Sequence, residues 1–198
     1  MIQYSERVRR KSPPNQSPAL SSVEVNGTGR GVLVGVVIRE AAADDYEILC
    51  ELFDEVDALH RDNLPQIFQK PTGPVREQKY YRGLITDENV GLFVAEVNER
   101  VVGFVHAVIR DTPAIPILVP RRYAIVDGIG VRSDFRGGGI GRMLMHRIHE
   151  WAIVKGAIAI ELNVHEFNRG AISFYRKLGY DTVSQRMSKL LDRVRAAG

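Results

Sequence analysis

The sequence predicts one α/β domain of the α+β kind, and three observations predict it. The run Arg136-Gly137-Gly138-Gly139-Ile140-Gly141-Arg142 joins an extended segment, Tyr123 to Val131, to an amphipathic helix with Ile140, Leu144, Ile148 and Trp151 on one face. Two apolar runs, Val90 to Val97 and Val101 to Arg110, flank Asn98-Glu99 and read as an antiparallel hairpin. Helical periodicity also appears early, through Ile48, Leu52 and Val56. With 198 residues, the chain suits one compact domain with an appendage.

Taken in order, residues 1–31 form a basic leader rich in Pro, Ser and Asn. A stretch such as Lys11 to Ser22 buries too little apolar area to order itself, so the leader is expected to be disordered. The domain proper is expected over 32–198. Val34 to Arg39 reads as its first strand and Ala42 to His60 as its first helix. Pro65, Pro71 and Pro74 break the next segment, and a helix follows at Val75 to Leu84. After the hairpin, Asp111 to Pro120 is a proline-punctuated apolar loop. Then come the strand to Val131, the helix to Lys155, a strand at Ala157 to Val164, a helix at Arg169 to Lys177 and a last strand at Asp181 to Lys189.

Composition narrows the function. Hydrophobic residues make up 44% and mean hydropathy is −0.14, and Gly31 to Ile38 is too short to cross a bilayer, so no membrane role is expected. No apolar stretch of the signal-peptide kind follows the early arginines. The single Cys50 excludes an internal disulfide and suits a reducing cytoplasm, the expected location. The formal charge of +3 arises wholly in residues 1–31, where Arg7, Arg9, Arg10, Lys11 and Arg30 outnumber Glu6 and Glu24. The remainder is balanced and carries no basic stripe for nucleic acid.

Strand, glycine turn and helix together make a phosphate site. The first helical N–H groups have no partner within the helix and can donate to an anion. Arg136 and Arg142 add charge. A nucleotide-triphosphate loop needs Lys and then Ser or Thr after its last glycine, but Arg142-Met143 stands there. A dinucleotide fingerprint begun at Gly128-Ile129-Gly130 needs a third glycine where Ser133 stands. What remains is Arg-x-x-Gly-x-Gly, filled by Arg136, Gly139 and Gly141.

With this turn, the chain resembles the GCN5-related N-acetyltransferase (GNAT) family, whose turn of this pattern binds the pyrophosphate of acetyl-coenzyme A. A second block carries the same resemblance: Glu161-Leu162-Asn163-Val164-His165-Glu166-Phe167-Asn168 leads into a helix with Phe174-Tyr175 and ends in Leu178-Gly179-Tyr180. The resemblance spans residues 34 to 190. It implies a mixed, mostly antiparallel twisted sheet of six to seven strands with helices on both faces. It implies acetyl-coenzyme A as co-substrate and direct transfer of the acetyl group to a primary amine of a small molecule or peptide. A homodimer is compatible with it. Through the resemblance, Ile129, Gly130 and Val131 would bind the pantetheine arm, and Arg136, Gly137, Gly138, Gly139, Ile140, Gly141 and Arg142 the pyrophosphate. Asn168 would contact the coenzyme, and equally fits a helix N-cap. Tyr175 would protonate the leaving thiolate.

Asp127 is a charge inside an apolar strand. Counting by twos, it shares a face with Ile129 and Val131, where it could take the amine's proton, or be a structural carboxylate. Asn163 stands where some relatives carry a glutamate base, which leaves the base open. Asp54, Asp57 and His60 on the first helix, with Glu161 and His165, are candidates for meeting a cationic amine. Glu51 belongs to the same acidic run. His106 alternates with Phe104 and Val108 and reads as a half-buried sheet histidine; no trio of ligands has metal-site spacing. The rival from another class is a non-catalytic acyl-coenzyme A-binding module that keeps the glycine turn and lacks a working acid and base.

Overall fold

Alternating apolar residues build two cores here, because a sheet with helices on both sides must bury both faces. The computed structural model describes residues 35–189. Its five strands are β1 (Val36–Glu40), β2 (Val90–Val97), β3 (Arg100–Asp111), β4 (Arg122–Val131) and β5 (Ala159–Leu162), and the helices are α1 (Tyr46–Asn63), α2 (Gln78–Thr86), α3 (Ile140–Val154) and α4 (Arg169–Lys177). The sheet order follows the chain, β1-β2-β3-β4-β5. The first four strands pair antiparallel, and β5 joins β4 parallel through the crossover helix α3.

One core lies under α3, where Ile140, Leu144, Ile148 and Trp151 meet Phe93, Val105, Ala107 and Val126. Gly91 lets the indole lie directly on β2, since a Cβ there would sit 2.8 Å from Trp151. The opposite core packs Leu49, Leu52 and Phe53 of α1 and Tyr81 and Leu84 of α2 on Leu92, Val94, Val101 and Phe104. β3 is central, and every residue from Val101 to Ile109 is buried. The β2–β3 turn places Asn98 at φ 49° and Glu99 at φ 63°, the left-handed pair that a two-residue hairpin of matching twist requires.

At the sheet edge, Arg39 holds Asp45 with two hydrogen bonds of 2.7 and 2.9 Å, and the Ala42 amide adds a third at 2.8 Å. This fastens β1 to the start of α1.

Several expectations change. The described residues form five strands, not six to seven. Residues 181–189 form no regular element: Val183 and Met187, their two apolar side chains, are 86% and 90% exposed. With nothing to cover that face and no ladder partner, a strand gains little there. The strand expected at 157–164 shortens to β5. The first helix opens with a 3-10 turn at Ala43–Asp45 and runs on to Asn63. The helix expected at 75–84 starts at Gln78, because Glu77 before it is extended, with ψ 146°; the Tyr46 hydroxyl donates to the Arg76 carbonyl at 2.8 Å. The expected leader, 1–31, and Val34 lie outside the described residues, as do residues 190–198.

Candidate functional site

The glycine turn is built by backbone conformation. Gly137 and Gly139 take φ of 82° and 90°, in the region that a Cβ disfavours. The first bond of α3 runs from the Met143 amide to the Gly139 carbonyl at 3.1 Å. The amides of Ile140, Gly141 and Arg142 therefore have no partner within the helix and face outward at its positive end. Gly138 and Arg142 are exposed beside them. Arg136 is turned partly away: its Nε donates to the Val131 carbonyl at 2.8 Å, which fixes the stem of the turn to the end of β4. Gly141 has a packing role as well, since a Cβ there would meet Phe174 of α4 at 3.4 Å.

Beside the turn, β4 and β5 part. Their pairing runs from Tyr123↔Ala159 to Val126↔Leu162 and stops, while β4 continues for five residues to Val131. Gly128 to Val131 remain paired to β3 on the other side, from His106 to Gly103. The β5-facing backbone groups of this stretch, Ile129 and Gly130 included, are thus left without a strand partner. An extended chain can add there as a strand would.

Asp127 sits where this gap begins, and the parity expected from sequence fails there. Val126 pairs with Ala107 and Gly128 with His106, so Asp127 is an extra residue with no partner on β3. Such a bulge resets the alternation. Ala124 and Val126 before it, and Ile129 and Val131 after it, all pack toward α3. Gly128 and Gly130 therefore face α1 and Phe104. Asp127 does not share the face of Ile129 and Val131; it is exposed at the bulge. It makes no ion pair among the described residues.

His106 is more enclosed than its alternation suggested. It is 6% exposed, on the Phe104 face of β3, and its Nε2 is shut off from solvent with no hydrogen-bond partner among the described residues. Burial holds the imidazole below its ordinary pKa; the Asp127 charge opposes that shift and the Arg76 charge reinforces it. His106 is neutral and lies close to the bulge.

Tyr175 and Asn168 lie on the remaining arm. Asn168 caps α4, its Oδ1 accepting the Ala171 amide at 3.1 Å, which leaves its NH2 group free to donate elsewhere. Tyr175 packs half-buried against the α3-side core. Burial pushes its phenol up to about 12, so it stays protonated at neutral pH.

The acidic candidates are not free charges. Asp54 pairs with Arg61 at 2.8 Å, Asp57 with Arg76 at 3.0 Å, Glu161 with Arg121 at 2.6 Å, and Glu51 with Arg132. His60 donates through Nδ1–H to the Val56 carbonyl, 2.8 Å away. Its ring meets Phe68 at 5.3 Å and His165 at 5.4 Å, and Phe167 stacks on His165 at 5.8 Å. Four rings thus clamp the segment after α1 to the segment after β5. Sequence reasoning missed the arginine partners: Arg61 lies two turns along the same helix, and Arg76, Arg121 and Arg132 come from other segments of the chain. A concavity of about 600 Å³ lies elsewhere, on the outer face of α4 between Arg169, Ile172 and Arg176, and is not at the bulge. No cluster of three or more His, Cys, Asp or Glu suited to a metal occurs among the described residues. No helix among them is long and apolar enough to cross a membrane.

Turn, gap, bulge and capped α4 occur in one order along the chain, and residues 53–180 match the model of the acetyltransferase (GNAT) family. The chain belongs to the GNAT family. An uncharacterised N-acetyltransferase of Methanocaldococcus jannaschii is 39% identical over 102 residues, which is 52% of this chain and 44% of that protein. The chain thus spans less than half the length of this curated relative. A solved tetramutant of a Bacillus halodurans protein superposes with TM-score 0.74 at 28% identity, covering 78% of this chain and 99% of that one. An aminoglycoside N-acetyltransferase solved with coenzyme A shares the GNAT fold at TM-score 0.59 and 16% identity, over 78% of this chain and 98% of that one.

Proposed function

We propose that the chain is an acetyl-coenzyme A-dependent N-acetyltransferase that moves the acetyl group directly to a primary amine of a small molecule or peptide. The observation that carries this reading is the termination of β4–β5 pairing at Val126 and Leu162, five residues before β4 itself ends at Val131. Backbone without a β5 partner extends from the bulge to Val131, and three outward amides follow at the start of α3. Its length and polarity suit a pantetheine arm ending in a pyrophosphate. The coenzyme A held by the solved aminoglycoside N-acetyltransferase supports the same ligand here.

The chain's own groups then divide the chemistry. The amides of Ile140, Gly141 and Arg142 hold the pyrophosphate, and the guanidinium of Arg142 screens its charge. Unpaired β4 amides beyond Asp127 orient the thioester and polarise its carbonyl. Asp127 receives a proton from the acceptor's ammonium, directly or through water, and passes it to solvent. The free amine attacks, a C–N bond forms and the C–S bond breaks. Tyr175 gives its hydroxyl proton to the departing sulfur, and the proton lost by the new amide nitrogen returns through solvent to the phenoxide. A phenol near 12 gives its proton to an ordinary thiolate uphill by roughly 5 kcal/mol, so Tyr175 acts first as a hydrogen-bond donor to the sulfur as charge builds.

Local charge bears on the acceptor. Glu51, Asp54, Asp57 and Glu161 are each matched by an arginine, which leaves Asp127 as the unpaired carboxylate at the bulge. That balance suits an acceptor with one amine to deprotonate better than a polycation.

Calorimetric titration with acetyl-coenzyme A beside free pantetheine, followed by thiol release across a panel of amines, tests the reading. Binding that collapses without the pyrophosphate, with thiol release for at least one amine, is expected. Binding with no release for any amine would identify a non-catalytic acyl-coenzyme A module, and no binding would remove the coenzyme altogether.

A further inference from the structure

α4 carries the proposed acid and is held on the α3-side core by side chains that are only partly buried. None of its nine residues is fully buried. At its middle, Phe174 rests on the first turn of α3 at Gly141. At its end, the chain turns through Gly179 at φ 88° and brings Tyr180 back onto α3, where the Tyr180 hydroxyl lies 2.8 Å from Nε2 of His149.

The turn ties Tyr180 directly to Tyr175. The carbonyl of Tyr175 accepts the amides of Leu178 at 2.9 Å and Tyr180 at 3.1 Å. The two phenol rings also meet edge to face, with centroids 5.8 Å apart. A displacement of Tyr180 therefore moves both the backbone and the ring of Tyr175.

Resting on the acetyltransferase reading above, we propose that His149 is a positioning residue for acetyl transfer: by anchoring Tyr180 it sets the end of α4 on α3 and aims the Tyr175 hydroxyl at the leaving sulfur. His149 touches no reacting atom; it acts through Tyr180. Both partners are kept uncharged. Burial, and then the neighbouring His146, hold the His149 imidazole below its ordinary range, while burial, and then Tyr175, push the Tyr180 phenol up. The bond is thus a neutral phenol donating to a neutral imidazole in a part-buried setting. Losing the Tyr180 anchor loosens the end of α4 beside Tyr175, while Phe174 and Leu178 stay packed and the sheet and both cores keep their order.

The test is steady-state kinetics on His149→Ala, Tyr180→Phe, their combination and His149→Gln, in wild-type and Tyr175→Phe backgrounds, with circular dichroism melting as the check on folding. The expected result is a fall in kcat of at least fivefold for either single variant, with KM for both substrates within twofold. The double variant should be no worse than either single one, because the two side chains act as one unit. His149→Gln, which can still accept from the phenol, should recover most of the rate. In the Tyr175→Phe background none of these changes should matter further. Folded variants with wild-type kcat would overturn the proposal, as would losses that persist undiminished without the Tyr175 hydroxyl. A merely structural role would lower the melting temperature and leave kcat per folded molecule unchanged. A wild-type protein that releases no thiol with any amine would instead sink the acetyltransferase reading, a result separate from unequal behaviour of the variants.

Discussion

Val56 of α1 rests directly over the bare backbone of Gly130 in β4: a Cβ on Gly130 would come within 2.9 Å of the valine Cγ2, and within 2.8 Å of the Phe104 ring. Both neighbours belong to the α1-side core and are held in place by it. This contact sets how closely α1 approaches the strand that borders the gap. Gly130→Ala should therefore cost about 1–3 kcal/mol in stability, as overpacked cores do. Gly128→Ala is the matched control, because its Cβ would meet Phe104 at an ordinary 3.5 Å. Urea denaturation of both variants should rank Gly130→Ala well below Gly128→Ala; equal midpoints would show that α1 shifts at little expense.

The turn makes a different kind of demand. A Cβ on Gly139 would touch nothing within 4 Å, so crowding is no objection there, but φ is 90°. Alanine resists that conformation by about 1–2 kcal/mol. Gly139→Ala should weaken acetyl-coenzyme A binding roughly tenfold if the turn relaxes into another conformation (a factor of ten corresponds to about 1.4 kcal/mol). Calorimetry against the wild type reads this directly, and an unchanged dissociation constant would detach the turn's shape from binding.

Tyr175→Phe removes one oxygen from a half-buried ring that packs on the α3-side core. Packing is preserved, so folding and coenzyme affinity should stay within twofold of wild type. The kcat should fall more than tenfold, the usual scale for losing a general acid. A variant with full turnover would show that solvent protonates the sulfur.

These expectations differ in how far the sequence alone supports them. Residues that carry their own signal were legible: the glycine turn, the hairpin around Asn98-Glu99, and α4 between its Asn168 cap and Gly179. Asp127 stands out in the sequence as a charge in an apolar strand, but parity puts it on the wrong face, because strand parity assumes two residues per repeat and the bulge inserts a third. The acidic run of α1 is legible as acid but not as paired, since Arg76 and Arg132 lie outside that helix. His149 and Tyr180 lie 31 residues apart, and no local pattern joins them. Residues 181–189 illustrate the converse: a strand is expected there, but Val183 and Met187 are left exposed and nothing packs on them.

Stability should fall in two steps on acidification. His106 and His149 are both held below their ordinary pKa, chiefly by burial. The unfolded chain then binds protons that the folded chain refuses, so their effect is absent well above about pH 6.5 and stability declines as pH drops through that value toward their folded pKa. Asp45 acts lower down. Burial alone would raise its carboxyl, but the Arg39 hydrogen bonds, the Ala42 amide and the Arg39 charge together hold it below the usual carboxylate range. Its contribution is present above about pH 3.9 and lost as pH falls through its lowered value. Urea midpoints measured from pH 8 to pH 3 should show both steps, and Asp45→Asn should lower the plateau and abolish the second.

Asp127→Asn separates proton removal from substrate holding. The asparagine is isosteric, the site is exposed, and no ion pair among the described residues is broken, so folding should be unaffected. If the carboxylate takes the ammonium's proton, kcat/KM at pH 7 should fall at least tenfold, within the range for a general base. Raising the pH supplies the amine already deprotonated, so the gap between variant and wild type should narrow steadily toward pH 9.5. If Asp127 only attracts the cation, KM should rise while kcat holds, and added salt should reproduce part of the effect by screening. A loss in kcat that stays constant across this pH range would assign the base elsewhere and leave Asp127 as a structural residue of the bulge.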